Sequence, residues 1–454
     1  MTGIFKAYDV RGAYPVELDE TVAEKIGAAF ACLLDRGEIA VGRDCRPSSP
    51  ALAAAFIRGY TGAGGAVTDF GMTSSPLLYY ATIKGKFHGS AMVTASHLPP
   101  ATNGIKLSRE HAIPLSGNEG LPVLQRMVGE MHEGAHPVQS PGPYRTGDMR
   151  DEYLAMVARS VNNPRPLRIA IDAGDGMAGP EIPRLFSFLP ILVPLAINLQ
   201  PDERFPHHGP NPFLSSATDD LTTLVRDGKA DFGVAFDGDA DRCIFVDEKG
   251  ERIPADLVTA LIAEAFLVHS PGATFLYDLR SSRVVAETIT RLGGRAVRCR
   301  VGHAFIKEQM RQENALFAGE LSGHYYFRET GFCDNGIFVM AQMVNLLSIK
   351  DQPLSQLIAP LKKYSSTGEI NIRTDRWEAI TAALRAVFRD AGTDVLDGLT
   401  MEYPSWWFNL RPSNTEPVVR LNLEAGTKTA RDERLNAVLE VIRDTDPSME
   451  IEPG

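Results

Sequence analysis

Short apolar runs, each closing on a polar or glycine-rich loop, alternate with helically patterned stretches through most of this chain. Ile39 to Gly42, Ala66 to Phe70 and Gly89 to Val93 read as strands. Glu20 to Leu34 and Pro50 to Gly59 read as helices, the second opened by a proline. A strand–helix–strand rhythm requires a mostly parallel sheet with helices on its faces. The rhythm then restarts. Leu167 to Ile171 ends in Asp172-Ala173-Gly174-Asp175-Gly176, and Ala230 to Phe236 ends in Asp237-Gly238-Asp239-Ala240-Asp241. Thr274 to Tyr277 and Arg295 to Arg300 repeat it once more. From about Glu369 the pattern changes. A strand at Ile370 to Arg373, a helix from Trp377 to Ala391, strands near Phe408 and Val418 and a final helix predict a smaller α+β unit.

The expected fold class is therefore α/β, with three related units of mixed sheet and a C-terminal α+β unit. Ligands are expected where strand ends meet loops. The expected division is 1–147, 148–250, 251–366 and 367–454. Its boundaries fall in the Pro- and Gly-rich Gly134 to Gly147, near Glu248 to Pro254 and near Tyr364 to Gly368.

Composition narrows the classes of function. At about 150 residues per domain, the 454 residues alone suggest about three domains, whereas the pattern asks for four. Apolar residues make up 44% and charged residues 23%, which suits a globular chain and not a disordered one. With 46 Lys+Arg against 57 Asp+Glu the net charge is −11, which disfavours nucleic acid and anionic membrane as partners. A locally positive pocket remains compatible with that balance. The most apolar region, Leu185 to Leu199, is broken by Pro190 and Pro194 and is shorter than a membrane span. No apolar signal core follows Lys6, Asp9 and Arg11. The five cysteines lie far apart and outside CxxC pairs, as reduced thiols do. A cytoplasmic protein is expected.

Four segments carry chemistry. Val93-Thr94-Ala95-Ser96-His97 follows a strand and leads to Asn103-Gly104-Ile105-Lys106, which places Ser96 where a nucleophile could sit. A serine making a local turn bond is the plainer alternative, and the absence of a GxSxG elbow disfavours a lipase-type hydrolase. Asp237, Asp239 and Asp241 stand at i, i+2 and i+4 just past an apolar strand. Carboxylates so spaced repel one another unless a cation holds them, and their hard oxygens suit Mg²⁺. An EF-hand is excluded by Arg242 at its glycine position and by the strand-like Cys243 to Val246; a solvated acidic turn is the alternative. Arg242 serves either as counter-charge to the acids or as a phosphate ligand. Gly319-Glu320-Leu321-Ser322-Gly323-His324 offers groups able to grip sugar hydroxyls, or makes a simple turn. Arg411-Pro412-Ser413-Asn414-Thr415 has the composition of a phosphate cradle.

Together with Ala7-Tyr8-Asp9-Val10-Arg11-Gly12, these segments resemble the α-D-phosphohexomutase family, in its phosphomannomutase/phosphoglucomutase branch. The five motifs occur in family order across nearly the whole chain. The resemblance implies four domains around a central cleft, the last closing over it. It implies a phosphorylated Ser96, with Mg²⁺ held by its phosphate and by Asp237, Asp239 and Asp241. Glu320, Ser322 and His324 would contact sugar hydroxyls, with His303 and Tyr8 as further cleft positions. Arg411, Ser413, Asn414 and Thr415 would hold the phosphate that is not reacting. Arg11, Lys106 and Arg242 would surround the reacting one. The family usually has asparagine after the Ser-His pair, where this chain has Leu98.

The activity implied is reversible interconversion of hexose 6-phosphate and hexose 1-phosphate, through phosphoserine and a hexose 1,6-bisphosphate that turns around in the cleft. Such chemistry asks the protein mainly for positioning and charge neutralisation. Lys106 and His324 are the candidates for proton transfer. Glu320-Leu321-Ser322 resembles the phosphomannomutase/phosphoglucomutase form of the sugar loop, whereas glucosamine-phosphate mutases tend to carry glutamine at the place of Leu321. Phosphoglucosamine mutase is the nearest alternative. A Mg²⁺-dependent sugar phosphatase and a non-catalytic sugar-phosphate sensor stand further off, since a pure binder needs no nucleophile. The expected partners are small hexose phosphates, with the chain a monomer or homodimer.

Overall fold

The computed structural model describes residues 3–116, 120–131, 140–214, 216–413 and 418–452. Its strands form four sheets. The first contains β1 (Val10–Ala13), β2 (Ile39–Arg43), β3 (Val67–Met72), β4 (Gly89–Val93), β5 (Thr102–Arg109) and β6 (Tyr144–Thr146), in the order β1-β5-β4-β2-β3-β6. The second contains β7 (Arg168–Asp172), β8 (Val193–Ile197), β9 (Phe232–Phe236), β10 (Cys243–Asp247) and β11 (Arg252–Ile253), in the order β11-β10-β9-β7-β8. The third contains β12 (Thr274–Asp278), β13 (Arg295–Cys299), β14 (Phe317–Gly319), β15 (Tyr325–Phe327) and β16 (Cys333–Asp334), in the order β13-β12-β14-β15-β16.

These three sheets share one plan. In each, a first strand (β2, β7 or β12) is flanked by two parallel neighbours, the next strand on one side and the third on the other. The third strand then turns back into an antiparallel partner: β4 into β5, β9 into β10, β14 into β15. The loops after β4, β9 and β14 therefore occupy equivalent places in three units. They are the loops that carry Ser96, the aspartates 237 to 241, and Glu320 to His324. Strands β4 and β9 are buried at every residue, as parallel strands covered on both faces must be.

The fourth sheet is antiparallel throughout and contains β17 (Ser365–Arg373), β18 (Gly392–Asp394), β19 (Leu399–Glu402), β20 (Trp406–Pro412), β21 (Val419–Ala425) and β22 (Glu450–Glu452). Its helices, Trp377–Val387 and Lys428–Thr445, pack with it around Phe408, Leu410 and Leu421. The element sequence matches the α+β unit expected. Two expected boundaries differ from the sheets. The chain folds back after Asp247 to add β11 to the second sheet, beyond residue 250, and β17 begins at Ser365, ahead of 367.

Helix Ser75–Lys84 was not anticipated by periodicity, because it is buried on nearly all sides and so carries no apolar stripe. Its Leu77 joins the large core shared by the second and third units. In that core Tyr153 Oη donates to Asn335 Oδ1 at 2.9 Å, and the same oxygen caps helix Gly336–Lys350 by accepting from Phe338 N. The fourth unit is tied to the third by Arg283, which donates to the carbonyls of Pro404, at 2.8 Å, and Trp406, at 3.1 Å. Among the described residues no helix is long and apolar enough to cross a membrane. All five cysteines are free.

Glu181 sits at 1% exposure in the second unit. Burial pushes its carboxyl up to about 7, against the opposing influence of Ser74 and the Arg150 charge. The folded state thus holds this proton more tightly than the unfolded chain does. Stability falls as pH rises from about 4.5 to about 7 and is flat above. Glu181→Gln removes that dependence. In urea unfolding, the stability difference between variant and wild type should move in the variant's favour by on the order of 3 kcal/mol between pH 4.5 and 8. A constant difference across that range would contradict the burial argument.

Candidate active site

The first two equivalent loops meet directly. Ser96, buried and in the left-handed backbone region at φ 54°, donates its Oγ–H to Asp237 Oδ2 at 2.7 Å. A Cβ on Gly238 would lie 2.7 Å from the Ser96 carbonyl oxygen, so the approach of the two loops requires glycine there. Asp237, Asp239 and Asp241 bring their carboxylates within 4.8 Å of one another, all buried. From β5, Lys106 Nζ bonds Asp239 Oδ2 at 2.6 Å and Asp241 Oδ2 at 2.5 Å. Ser75, at the start of its helix, donates to Asp239 Oδ2 at 2.6 Å.

The carboxylates are unequal. Burial, then the charges of Asp241 and Asp239, push the Asp237 carboxyl well above its ordinary value. Burial acts the same way on Asp241, but Lys106, His324 and Arg242 overcome it and hold that carboxyl well below. Among the side-chain oxygens, Asp239 Oδ1 and Asp241 Oδ1 are buried without a hydrogen-bond partner. Three hard carboxylates with two unsatisfied buried oxygens, beside a serine hydroxyl, form a donor set that fits Mg²⁺.

The third loop reaches the same place. Arg242 and His324 form a β-bridge, and Arg242 Nε lies 3.0 Å from His324 Nε2. On the other side of the ring, Nδ1 faces Glu320 Oε2 at 3.1 Å. Ser322 Oγ lies 2.8 Å from His324 Nδ1. Glu320 also accepts from Tyr326 Oη at 2.8 Å and pairs with Arg280 Nη2 at 3.3 Å. Burial would raise the Glu320 carboxyl, yet His324, Arg280 and Tyr326 hold it far below its ordinary value.

A cleft of about 470 Å³ opens over these groups. Tyr8, Arg11, Arg242, His303, Glu320, Ser322 and His324, all expected site residues, line it. Arg11 is fixed by Asp9, whose Oδ2 accepts from Nε at 2.7 Å. Tyr8 meets His303 edge-on, with ring centroids 4.9 Å apart, and both His303 ring nitrogens lack a hydrogen-bond partner. Ser96, Lys106 and the three aspartates lie beneath the floor, while His97 and Leu98 of the serine loop form part of it.

The fourth unit differs from expectation in detail. Arg411 is buried to 1% and turns to Glu369, bonding Oε2 at 2.7 Å. Arg280 and Arg420 share that carboxylate, at 3.4 and 3.2 Å. Burial works against the charge on Glu369, but the three guanidinium groups hold its carboxyl below the ordinary range. Ser413 lines a separate groove of the fourth unit, and Asn414 and Thr415 lie outside the described residues. Arg280 and Glu369 join the site groups although sequence patterns did not single them out. Arg280 lies just past β12 and Glu369 within β17, in stretches of no special composition, and only the fold makes them neighbours.

Family comparisons bear on the whole chain. Residues 2–128, 151–250 and 254–364 match the phosphoglucomutase/phosphomannomutase α/β/α domains I, II and III, and residues 369–441 match the C-terminal domain of the same proteins. The chain belongs to the phosphoglucomutase/phosphomannomutase family. A phosphomannomutase of Escherichia coli is 40% identical over 439 residues, covering 94% of this chain and 96% of that one. A Xanthomonas campestris protein named for phosphohexose mutases is 39% identical over 425 residues, covering 92% and 94%. In three dimensions, a phosphoglucomutase/phosphomannomutase family protein from Burkholderia thailandensis superposes with a TM-score of 0.91 at 31% identity, covering 99% of both chains. In this family member the three topologically equivalent loops and the fourth unit surround a single cleft.

Proposed function

We propose that this protein is a phosphomannomutase with phosphoglucomutase side activity, interconverting hexose 6-phosphate and hexose 1-phosphate by intramolecular phosphoryl transfer. The observation that carries the reading is the Ser96 hydroxyl seated on Asp237, beside two further aspartates, at the base of a cleft rimmed by arginine and histidine. Asp237, Asp239, Asp241 and the Ser96 phosphate would hold Mg²⁺. When bound, that ion supplies charge neutralisation at the transferring phosphoryl group.

The protein's own residues do the rest. Glu320, Ser322, His303, His324 and Tyr8 orient the sugar ring, while Arg411, Ser413, Asn414 and Thr415 hold the phosphate that does not react. A sugar hydroxyl attacks phosphorus on phospho-Ser96; the new O–P bond forms as the P–Oγ bond breaks. Lys106 and His324 handle the proton that leaves the hydroxyl and the one that Ser96 regains. Arg11, Lys106 and Arg242 balance the charge on the phosphoryl oxygens. The hexose 1,6-bisphosphate then turns around and returns its other phosphate to Ser96. The setting assigned is the cytoplasm, with a monomer or homodimer as the working form.

Intact mass should show one added phosphoryl group, localised to Ser96. A coupled assay should show turnover of both mannose 1-phosphate and glucose 1-phosphate, with kcat/KM values within about 10²-fold, since the two differ at one hydroxyl. Phosphate release without isomerised sugar would mark a phosphatase and end this reading. Arg411→Ala tests the distal phosphate site. Glu369 keeps Arg280 and Arg420 as partners in that variant, so the fold should hold. KM is expected to rise on the order of 10- to 100-fold, the worth of a charge-assisted contact, with a smaller change in kcat. An unchanged KM would remove Arg411 from the phosphate site.

A further inference from the structure

We propose that Arg46 is the positioning residue of the serine loop, and that Phe205 of the second unit holds its guanidinium in place. The inference rests on the reading of Ser96 as phosphoryl acceptor. Arg46 is completely buried, yet it does not face the cleft. Its Nη1 donates to the carbonyls of Pro99, at 2.7 Å, and Thr102, at 3.1 Å. Its Nη2 donates to the carbonyls of Ser96, at 2.7 Å, and Leu98, at 2.6 Å. The remaining donor, Nε, bonds Asp44 Oδ2 at 3.0 Å. All five N–H groups of the fork are therefore used, four of them on one loop's backbone.

Asp44 grips the Ser96 peptide from its other side as well. Its Oδ2 accepts from Thr94 Oγ1 at 2.7 Å, and Thr94 Oγ1 accepts from Ser96 N at 2.9 Å. The N–H of Ser96 is thus held through Thr94 and its C=O through Arg46, both anchored on one carboxylate. That grip matters because Ser96 adopts φ 54°, a region that a non-glycine residue keeps only where its surroundings hold it there. From the second unit, the Phe205 ring lies under the guanidinium, 5.4 Å from centroid to Cζ. Phe205 is also 3.4 Å from where a Gly238 side chain would begin, and Pro210 O, in the same segment, accepts from Gly238 N at 3.2 Å. One segment of the second unit therefore touches both the clamp on Ser96 and the loop of aspartates. Arg46 fixes the serine oxygen relative to those acids without touching substrate.

The test compares wild type with Arg46→Lys, which keeps the buried charge opposite Asp44 but cannot reach four carbonyls. Glucose 1,6-bisphosphate is added and phosphorylation of Ser96 is followed by intact mass, alongside steady-state kinetics and thermal unfolding. A displacement of about 1 Å at a reacting atom costs on the order of 10²-fold, so kcat and the rate of Ser96 phosphorylation should fall together by about that factor. KM should stay within about threefold, because the sugar and distal phosphate contacts are untouched. Should Arg46→Lys fail to fold, Thr94→Val decides, since it releases the Ser96 N–H and the Thr94–Asp44 bond while leaving the Arg46 fork in place; a kcat loss of about tenfold at constant KM is expected there. Phosphorylation of Ser96 at the wild-type rate in the folded Arg46→Lys variant overturns the proposal, as does an unaltered kcat in Thr94→Val. A wild-type protein that takes up no phosphoryl group on Ser96 would instead overturn the reading on which the proposal rests.

Discussion

Ser96→Ala is expected to abolish incorporation of a phosphoryl group from hexose 1,6-bisphosphate and to lower turnover by on the order of 10⁴-fold. The size follows from what the hydroxyl does in the proposed cycle: it is the atom that carries the phosphoryl group between the two sugar positions, so no neighbouring group can substitute for it. The fold should survive. Alanine and serine bear the same cost at φ 54°, and the serine peptide keeps its bonds to Thr94 and Arg46. Asp237 loses one donor but still accepts from Arg242 N at 3.1 Å. Thermal unfolding of the variant within a few degrees of wild type, with full loss of label, is the supporting result. Label retained at another residue, or bisphosphate-dependent turnover at the wild-type rate, would sink the phosphoserine mechanism.

How much of this site could be read beforehand depended on how its residues are joined. The aspartates 237, 239 and 241 were legible because their chemistry is local: three acids two residues apart, just past an apolar strand, need a cation or solvent whatever the fold. Ser96 was legible as a polar break after an apolar strand, and Glu320 only as an acid in a polar loop flanked by two glycines. What stayed hidden was the pairing. Lys106 could be placed near the serine, but its two carboxylate partners lie 133 and 135 residues away. Arg46 was invisible for a different reason. Four of its five bonds go to backbone carbonyls, which every residue type supplies, so no side-chain pattern marks them. Glu369 lies in the first strand of the fourth unit with no distinguishing neighbours, and becomes a site residue only because Arg280, Arg411 and Arg420 converge on it. Helix Ser75–Lys84 escaped because burial on nearly all sides erases the 3.6-residue period that betrays a surface helix.

Chelation of divalent metal is expected to lower turnover by on the order of 10³-fold, with recovery on adding Mg²⁺. The cluster itself gives the reason. Asp237, Asp239 and Asp241 place three carboxylates within 4.8 Å, and the nearest cation, Lys106, engages only two of them. Without a divalent ion the repulsion is incompletely balanced, which costs stability as well as activity. Mg²⁺ should therefore raise the thermal midpoint. At about 100 times its Kd a ligand adds about 2.7 kcal/mol, which corresponds to several degrees in a domain of this size. Asp237→Asn separates the two effects. It removes one of the mutually repelling charges while an amide oxygen can still accept from Ser96 or Arg242, so the metal-free variant should melt no lower than metal-free wild type. Its response to Mg²⁺ should shrink, and its turnover should fall by about the same factor as chelation imposes. If chelator leaves the wild-type rate unchanged and Mg²⁺ shifts neither midpoint, the three aspartates serve only Lys106, Ser75, Ser96 and the Arg242 N–H, and charge at the transferring phosphoryl group must be met by Arg11, Lys106 and Arg242.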